Sequence, residues 1–551
     1  MSRRSAIRAG FGIAIATQLA LIEQSAFTPS RAVAASSPIL NRATGTTPNN
    51  AGPFPIIQFD IGDFINAPVR LNDGAGSVMA QLPPVFSYFV PAVLTRPPTP
   101  NDQETLDNAL NTIEEVYDFS PSGIFTFASY GVPYFNMLPG GINGGLVQQF
   151  MPQIRNGLNP DGTTNALAEA IPMPTDVVAG LVGGPNAPVP GKTKDRFNVN
   201  VAIEGNHMLF HMRSDSLNNL NDVLAWLKGS NSLAGFNFSS PRFNRLINFQ
   251  TTRVQFVQPG LPRRTADHAN FEFAFKINPH SPMWMGFLDQ QTNASGPAQI
   301  CTFAGNSSAQ LTDATQGDYF GQGAIQHFSH VLLDLHQFFS QPNQDPRHPD
   351  GETATERIMY MFRGNTVGTT TGLPTPFNAS DGFTNGGCPA FVSNAFQGTN
   401  DAMLDAQDAG GLFDPNASAA VQQTQTFNGQ HRIGHESALQ RSSRAADGTP
   451  IHMRMDGPGF SGLDVPAYQD FPGGNNIAAG SKVPKLEFIM NFPTSEFFRQ
   501  MRTNAAAQDL QVQFAVDPDD NGLERFITTT RRQNFLIPPR PVRSFPLTEF
   551  T

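Results

Sequence analysis

The chain lacks the features on which several protein classes depend. It has only two cysteines in 551 residues, Cys301 and Cys388, which excludes a disulfide scaffold and a cysteine-based metal site. Charged residues are 15%, below the roughly one quarter typical of globular proteins, and the net charge is −10. No basic stripe is present, so the sequence predicts no nucleic-acid partner. The signatures of P-loop nucleotide-binding proteins, HExxH metalloproteases and GxSxG hydrolases are also missing.

Residues 1–34 are predicted to be a twin-arginine export signal. Arg3 and Arg4 are followed by an apolar stretch over 9–22 and by an AVA cleavage site at 32–34. The apolar stretch is shorter than the ~20 residues that a membrane-spanning helix needs, so no stable membrane span is expected. Twin-arginine signals export folded proteins, so we expect a periplasmic or extracellular location. A disordered basic tail is the alternative interpretation.

The rest of the chain is long enough for two hydrophobic cores, and its 46 phenylalanines are typical of large aromatic cores. Residues 35–52 are rich in Ser, Thr, Asn, Pro and Gly, which predicts a flexible lead-in. We place an N-terminal domain at 53–235 and a C-terminal domain at 250–551. Long Gly-, Asn-, Thr- and Pro-rich stretches at about 340–430 indicate an insertion in the second domain.

Hydrophobic spacing predicts alternating strands and helices. In the first half, order is expected from 53–59, followed by a helix over 106–117, strands at 123–130 and 196–203, and a helix over 217–227. The helix over 217–227 is capped by Ser214, Asp215 or Ser216. In the second half, strands are predicted at 254–257, 325–335, 484–492 and 526–539, with a helix beginning at Thr494 or Ser495. Helices packed on antiparallel sheets make an α+β fold.

Polar residues that could take part in a reaction cluster in the second half. The segment GFLDQQTN at 286–293 places Asp289 on a sharp turn after an apolar stretch. Downstream come His435, Arg444 and the segment IHMRMDG at 451–457.

These segments resemble the dye-decolorizing haem peroxidases. That family has a GFxDGxxN motif, which residues 286–293 match except that Gln290 replaces the second glycine. The family's haem-ligating histidine lies in a short SHIR-like segment, which His435 matches, and Arg454 matches the family's distal arginine nineteen residues later. Weaker similarity extends over 124–133, 257–260, 324–335, 356–364 and 521–539.

The resemblance implies a duplicated ferredoxin-like fold of the dimeric α/β-barrel type, with antiparallel sheets packed together and peripheral helices. It also implies that haem b is the cofactor, that hydrogen peroxide is reduced, and that phenols or dyes are the reductants. His435 is expected to bind the iron, and Asp289 and Arg454 to be catalytic. Further residues expected at the cofactor are Gly286, Asn293, Arg444 and Asp456.

Elementary chemistry agrees with these roles. A neutral imidazole can hold a haem iron and leave its sixth position open. His431 is the nearest rival to His435, and the absence of a CxxCH motif excludes covalent haem attachment. Cleavage of peroxide requires a group that moves a proton, here Asp289, and a positive charge beside the leaving oxygen, here Arg454.

Two departures from the family pattern leave other functions open. A glycine permits a backbone conformation that Gln290 tolerates poorly, and Asp456 would partly neutralise Arg454. A haem-binding relative with weak or lost activity is therefore one alternative, and an exported binding protein without haem is another. The sequence also leaves open whether Cys301 and Cys388 form a disulfide and whether the chain forms a homo-oligomer.

Overall fold

The computed structural model describes two stretches of the chain. The first is 54–339, with gaps at 68, 73–76, 156, 160–161, 171–195, 198, 200, 287–297 and 306–310. The second is 452–551, with gaps at 468–476, 496 and 499–525. The predicted export signal and the predicted insertion therefore lie outside the described residues.

Strands dominate the described part of the chain. They are β1 (Val69–Asn72), β2 (Ser77–Ala80), β3 (Phe86–Leu94), β4 (Phe125–Gly131), β5 (Ala202–Ile203), β6 (Met208–Ser214), β7 (Ser232–Leu233), β8 (Phe236–Asn237), β9 (Ile247–Phe249), β10 (Arg253–Phe256), β11 (Ala324–Leu333), β12 (Met453–Arg454), β13 (Gly457–Ser461), β14 (Val483–Phe492) and β15 (Ile527–Ile537).

Helices connect several of these strands. The α-helices are α1 (Pro100–Val116), α2 (Val132–Phe135), α3 (Gly145–Phe150), α4 (Leu217–Lys228), α5 (Leu261–His268) and α6 (Leu335–Phe339). Short 3₁₀ helices lie at Gly62–Phe64, Phe243–Arg245, Ala274–Lys276, Arg540–Val542 and Thr548–Phe550. Within the described residues, no helix combines the length and apolar character needed to cross a bilayer.

The first unit of the fold has the order β3, α1, β4, β6, α4, β10 along the chain. Its strands lie side by side in the order β10-β3-β6-β4, and each neighbouring pair is antiparallel. This is the βαββαβ arrangement of a ferredoxin-like unit, in which the first and last strands lie side by side.

The second unit repeats this arrangement. β11 comes first, β12 and β13 together supply the second strand, and β14 and β15 follow. The spatial order is β15-β11-β14-β12, with β13 also paired to β14, and all of these pairs are antiparallel. The same strand order in both halves confirms the predicted duplication and the α+β fold class.

The two units join at both edges of their sheets. β4 pairs with β15 through Tyr130–Leu536 and Gly131–Phe535, which gives one continuous sheet. At the far edge, β10 lies against the chain around β13, where the Gln255 amide donates to the Met455 carbonyl oxygen at 3.1 Å. The sheet therefore curls into a barrel.

One face of the sheet lines the barrel interior and the other carries the helices. The rings of Phe89 on β3 and Phe328 on β11 lie 5.0 Å apart, although three strands separate β3 from β11 in the sheet. These rings therefore meet across the interior. On the opposite face, Met208 and Phe210 of β6 share a buried core with Leu220 of α4.

Local sequence explains why α1 forms where it does. Thr99 precedes Pro100 and makes a capping box, in which the Thr99 hydroxyl accepts from the Asp102 amide and the Asp102 carboxylate accepts from the Thr99 amide. Leu106, Leu110 and Ile113 follow at helical spacing and are fully buried, so one stripe of the helix faces the sheet.

Most predicted elements are present, and Ser216, one of the three predicted caps, is the residue that caps α4. Two elements differ from the prediction. The predicted strand at 196–203 is reduced to β5, while the buried strand β6 lies at 208–214. Residues 253–256, expected in the second half, pair with β3 and complete the sheet of the first unit.

A buried ion network attaches the C-terminal segment to α1. Glu114 accepts hydrogen bonds from Arg543 at 2.6 and 2.8 Å, and from Arg540. Burial raises the pKa of Glu114, but the two guanidinium groups outweigh burial, so the net pKa lies below its ordinary value of 4.5. The carboxylate is therefore charged in the folded protein at neutral pH.

Replacing Glu114 by Gln should destabilise the protein by about 3–5 kcal/mol at pH 7, because two buried arginines lose their counter-ion. The contribution of the ionised Glu114 is fully present above pH 4.5 and is lost as the pH falls through the lower folded-state pKa. Urea unfolding at several pH values measures it. Glu104→Gln, on the exposed face of the same helix, should change stability little, and an equal effect of both variants would contradict this account.

Candidate active site

Arg454 lies on the outer face of the second unit. It is in β12, where Met453 pairs with Asn491 and Arg454 pairs with Met490 of β14. Paired residues on neighbouring strands point to the same face. Met490 belongs to the core on the helix-bearing face, whereas Asn491 bonds to Gln326 inside the barrel. The half-buried Arg454 side chain is therefore directed away from the interior.

Asp456 follows Arg454 by two residues and interacts with it electrostatically. Burial lowers the pKa of Arg454, and the Asp456 carboxylate opposes that shift. Burial also raises the pKa of Asp456 above its ordinary value of 3.8, while Arg454 and a backbone hydrogen bond act in the other direction. The arrangement places a cation in a poorly hydrated environment, where its field acts strongly on a nearby ligand.

The segment that leads to Asp289 packs against the same part of the sheet. The Trp284 indole donates to the carbonyl oxygen of Gly459 in β13 at 3.3 Å. Its ring lies 4.9 Å from that of Phe460 and 5.9 Å from that of Phe256. The chain then turns at Gly286, whose φ of +81° is a conformation that favours glycine.

The structure thus brings some of the predicted site residues to one part of the sheet, whereas the others lie outside the described residues. Gly286 follows a segment anchored on β13, and Arg454 and Asp456 immediately precede β13. The remaining predicted residues lie outside the described residues: Asp289, Asn293, His435 and Arg444.

On this outer face of the sheet, sequence reasoning missed the buried histidines His452 and His327. His452 precedes Arg454 by two residues, is 0% exposed, and lies 6.1 Å from the Phe497 ring. Strand periodicity puts it on the face that Arg454 occupies, and the H-x-R spacing is the sequence signal for this placement. His327 of β11 stacks on Phe498 at 3.5 Å.

His327 is a structural residue rather than an iron ligand. Its Nδ1 bonds to the Asn534 side-chain oxygen at 2.7 Å, and its Nε2 bonds to the Ser329 hydroxyl at 2.5 Å. Both ring nitrogens are therefore engaged within the protein. Among the described residues, no group of three or more His, Cys, Asp or Glu side chains could hold a metal ion. Cys301 is buried as a free thiol with its pKa raised by burial.

Comparison with protein families gives one partial match. A family of unknown function, DUF7405, matches residues 187–358, which is less than half of the chain. No curated protein matches the chain.

Comparison with solved structures finds dye-decolorizing peroxidases at low similarity. A putative DyP-type peroxidase from Shewanella oneidensis is 13% identical with a TM-score of 0.39, covering 88% of this chain and 100% of that chain. The encapsulated DyP-type peroxidase from Mycobacterium smegmatis is 11% identical, with a TM-score of 0.39 and coverages of 84% and 96%. A DypB variant from Rhodococcus jostii, solved in complex with heme, is 10% identical with the same TM-score and coverages. At these values, the likeness assigns no role to any residue.

The Asp456 carboxyl should titrate above its ordinary pKa of 3.8, and Arg454→Met should raise that pKa further, because the opposing positive charge is removed. A raised folded-state pKa stabilises the fold below pH 3.8, and this contribution is lost as the pH rises through the folded-state value. Asp456→Asn should therefore gain stability relative to the wild type with rising pH. Carbon-13 NMR of labelled aspartate measures the pKa, and a value at or below 3.8 would refute the assignment.

Proposed function

We propose that this protein is a haem-dependent peroxidase of the dye-decolorizing type, which reduces hydrogen peroxide and oxidises phenolic or dye-like substrates in one-electron steps. The observation that carries the proposal is that the chain leading into the motif at 286–293 packs against the strand that follows Arg454. Trp284, five residues before Asp289, is anchored to β13, and Arg454 lies in the strand that leads into β13. In the sequence, Trp284 and Arg454 are 170 residues apart.

The residues on this face suit a haem carboxylate or a peroxide oxygen. Arg454 is a half-buried cation, and guanidinium groups bind carboxylates and developing negative charge well. We assign iron ligation to His435, with Gly286, Asn293, Arg444 and Asp456 as further residues around the cofactor. His452 shares the strand face of Arg454, so it is a neighbour of the peroxide side rather than a ligand from the opposite side.

Asp289 would move one proton. Its carboxylate would accept a proton from one oxygen of hydrogen peroxide and return it to the other oxygen, which would leave as water when the O–O bond breaks. Arg454 would stabilise the negative charge that grows on the leaving oxygen. Haem, when bound, would supply the two electrons for this cleavage, and two one-electron oxidations of the aromatic reductant would replace them.

We further propose that the twin-arginine segment at 1–34 exports the folded protein to the periplasm or the exterior. Haem would sit in the second unit, because the residues assigned to it all follow β10 in the sequence.

A haem-binding protein with weak peroxidase activity is the second candidate, and Asp456 favours it. The Asp456 carboxylate acts on Arg454 electrostatically, so the positive charge available to peroxide is reduced. Gln290 adds to this effect if it displaces Asp289. Under this alternative, haem is bound normally but peroxide cleavage is slow.

His435→Ala should abolish haem binding in the full-length protein, since the iron loses its axial ligand. His431→Ala is the matched control, because it removes a nearby imidazole and should leave haem binding unchanged. The Soret absorbance per polypeptide measures both. Loss of the Soret band in His431→Ala with retention in His435→Ala would reassign the ligand, and a wild type that binds no haem would refute the proposal.

A further inference from the structure

The barrel interior contains a row of polar side chains that the proposed peroxidase chemistry does not use. They come from neighbouring strands of the first unit, where Gln255 pairs with Ser87 and Ser87 pairs with Arg213. Two residues away along each strand, and on the same face, Phe89 pairs with His211. The Phe89 ring reaches Phe328 across the barrel, so this whole set faces inward.

Arg213 is a buried cation that has no counter-ion among the described residues. It is 2% exposed, its Nε donates to the Ser87 hydroxyl at 3.0 Å, and one Nη has no hydrogen-bond partner in the part of the chain that the structure describes. Burial lowers its pKa to about 10, and no carboxylate of the described residues opposes that shift. Burying an arginine in this way is costly unless an anion accompanies it.

The neighbouring His211 supplies a second unpartnered polar group. It is 0% exposed, and neither ring nitrogen has a hydrogen-bond partner within the described stretches. The Phe89 ring stacks on it at 4.4 Å, and the Phe127 ring lies 4.9 Å away. Burial and Arg213 both lower its pKa, so the ring is neutral and offers one N–H donor beside the guanidinium.

The charges further along the interior do not neutralise Arg213. Arg253 and Arg531 both pair with Glu204, Arg531 also pairs with Asp464, and Lys485 pairs with Glu487. These three cations are matched by three carboxylates, so the positive charge of Arg213 is left over. The interior therefore lacks one negative charge among the described residues.

We propose that the barrel interior binds a small planar oxyanion of single charge, of the carboxylate class, with Arg213 and His211 as its donors. A guanidinium presents parallel N–H groups that match the two oxygens of a planar carboxylate. The phenyl rings of Phe89 and Phe127 favour an anion that is weakly hydrated over a multiply charged one.

Hydrogen bonds of Gln255 also link the proposed oxyanion site to the backbone of the candidate active site. Gln255 donates to the Ser87 hydroxyl at 3.4 Å and to the Met455 carbonyl oxygen at 3.1 Å. Met455 lies between Arg454 and Asp456 in the sequence. The oxyanion site itself depends on neither haem nor peroxide, and it would stand if the proposed function failed.

Calorimetric titration of sodium formate into the full-length protein, at constant ionic strength set with sodium chloride, tests the proposal. The wild type should bind formate saturably, and nitrate, which has the same planar shape, should compete. Arg213→Met should weaken formate binding about tenfold or more. Arg245→Met, an exposed arginine of the first unit, is the matched control and should bind as the wild type does.

Three results would overturn the proposal. One is the absence of saturable formate binding by the wild type. Another is binding that survives Arg213→Met but is lost in Arg454→Met, which would place the anion at the peroxide side. If circular dichroism shows that Arg213→Met does not fold, Ser87→Ala decides instead, because it removes the partner that orients Nε. Formate binding unchanged in a folded Ser87→Ala would then also refute the site.

Discussion

The closure of two ferredoxin-like sheets on each other is the constraint from which the other features follow. An exposed sheet edge presents unpaired backbone groups, and each unit has an edge to cover. β4 and β15 pair at only two positions, and Gln58 completes this seam. Its side-chain oxygen accepts from the Ala128 amide at 3.0 Å, and its nitrogen donates to the carbonyl oxygens of Ala128 at 3.1 Å and Pro538 at 2.7 Å. The Gln58 side-chain amide thus connects β4 to the end of β15, where the two strands no longer pair with each other.

Closure also divides the protein into two chemical environments. Each strand sends alternate side chains inward and outward, so a shift of one residue decides which environment a side chain enters. Arg213 and His211 enter the interior, where one Nη of Arg213 and both ring nitrogens of His211 have no hydrogen-bond partner among the described residues. Arg454 and His452 enter the outer face, where the segment through Trp284 also packs. The proposed oxyanion site and the proposed peroxide site therefore lie on opposite faces of the sheet, and Gln255 connects Ser87 of the first to the Met455 backbone beside the second.

The sequence indicated the helices and the fold class better than it indicated the strands of the barrel. α1 and α4 were predictable because each has a cap and an apolar stripe at helical spacing. β3 was not predicted, since both of its faces are buried and Pro91 interrupts a run that otherwise favours a strand. β6 was hidden because His211 and Arg213 are polar yet buried inside the barrel. The regular alternation at 196–203 suggested a longer strand than the two residues of β5.

In the candidate site, too, the sequence predicted some features and not others. The spacing of motifs identified Arg454 as a candidate, because the motif depends on residue identity, and its role stays a prediction. Burial of His452 depends on how β12 sits against the core around Phe497, and a single sequence carries no such information. The roles of Asp289 and His435 stay predictions, as both lie outside the described residues.

The absorbance spectrum of the purified full-length protein, before and after one equivalent of hydrogen peroxide, tests the central claim most directly. The wild type should show a Soret band that changes on peroxide addition. The double variant Asp289→Ala, Arg454→Ala should keep the band and lose most of the rapid change, since it lacks the proton carrier and the positive charge. A wild type without a Soret band, or a double variant that responds to peroxide as fast as the wild type, would contradict the account.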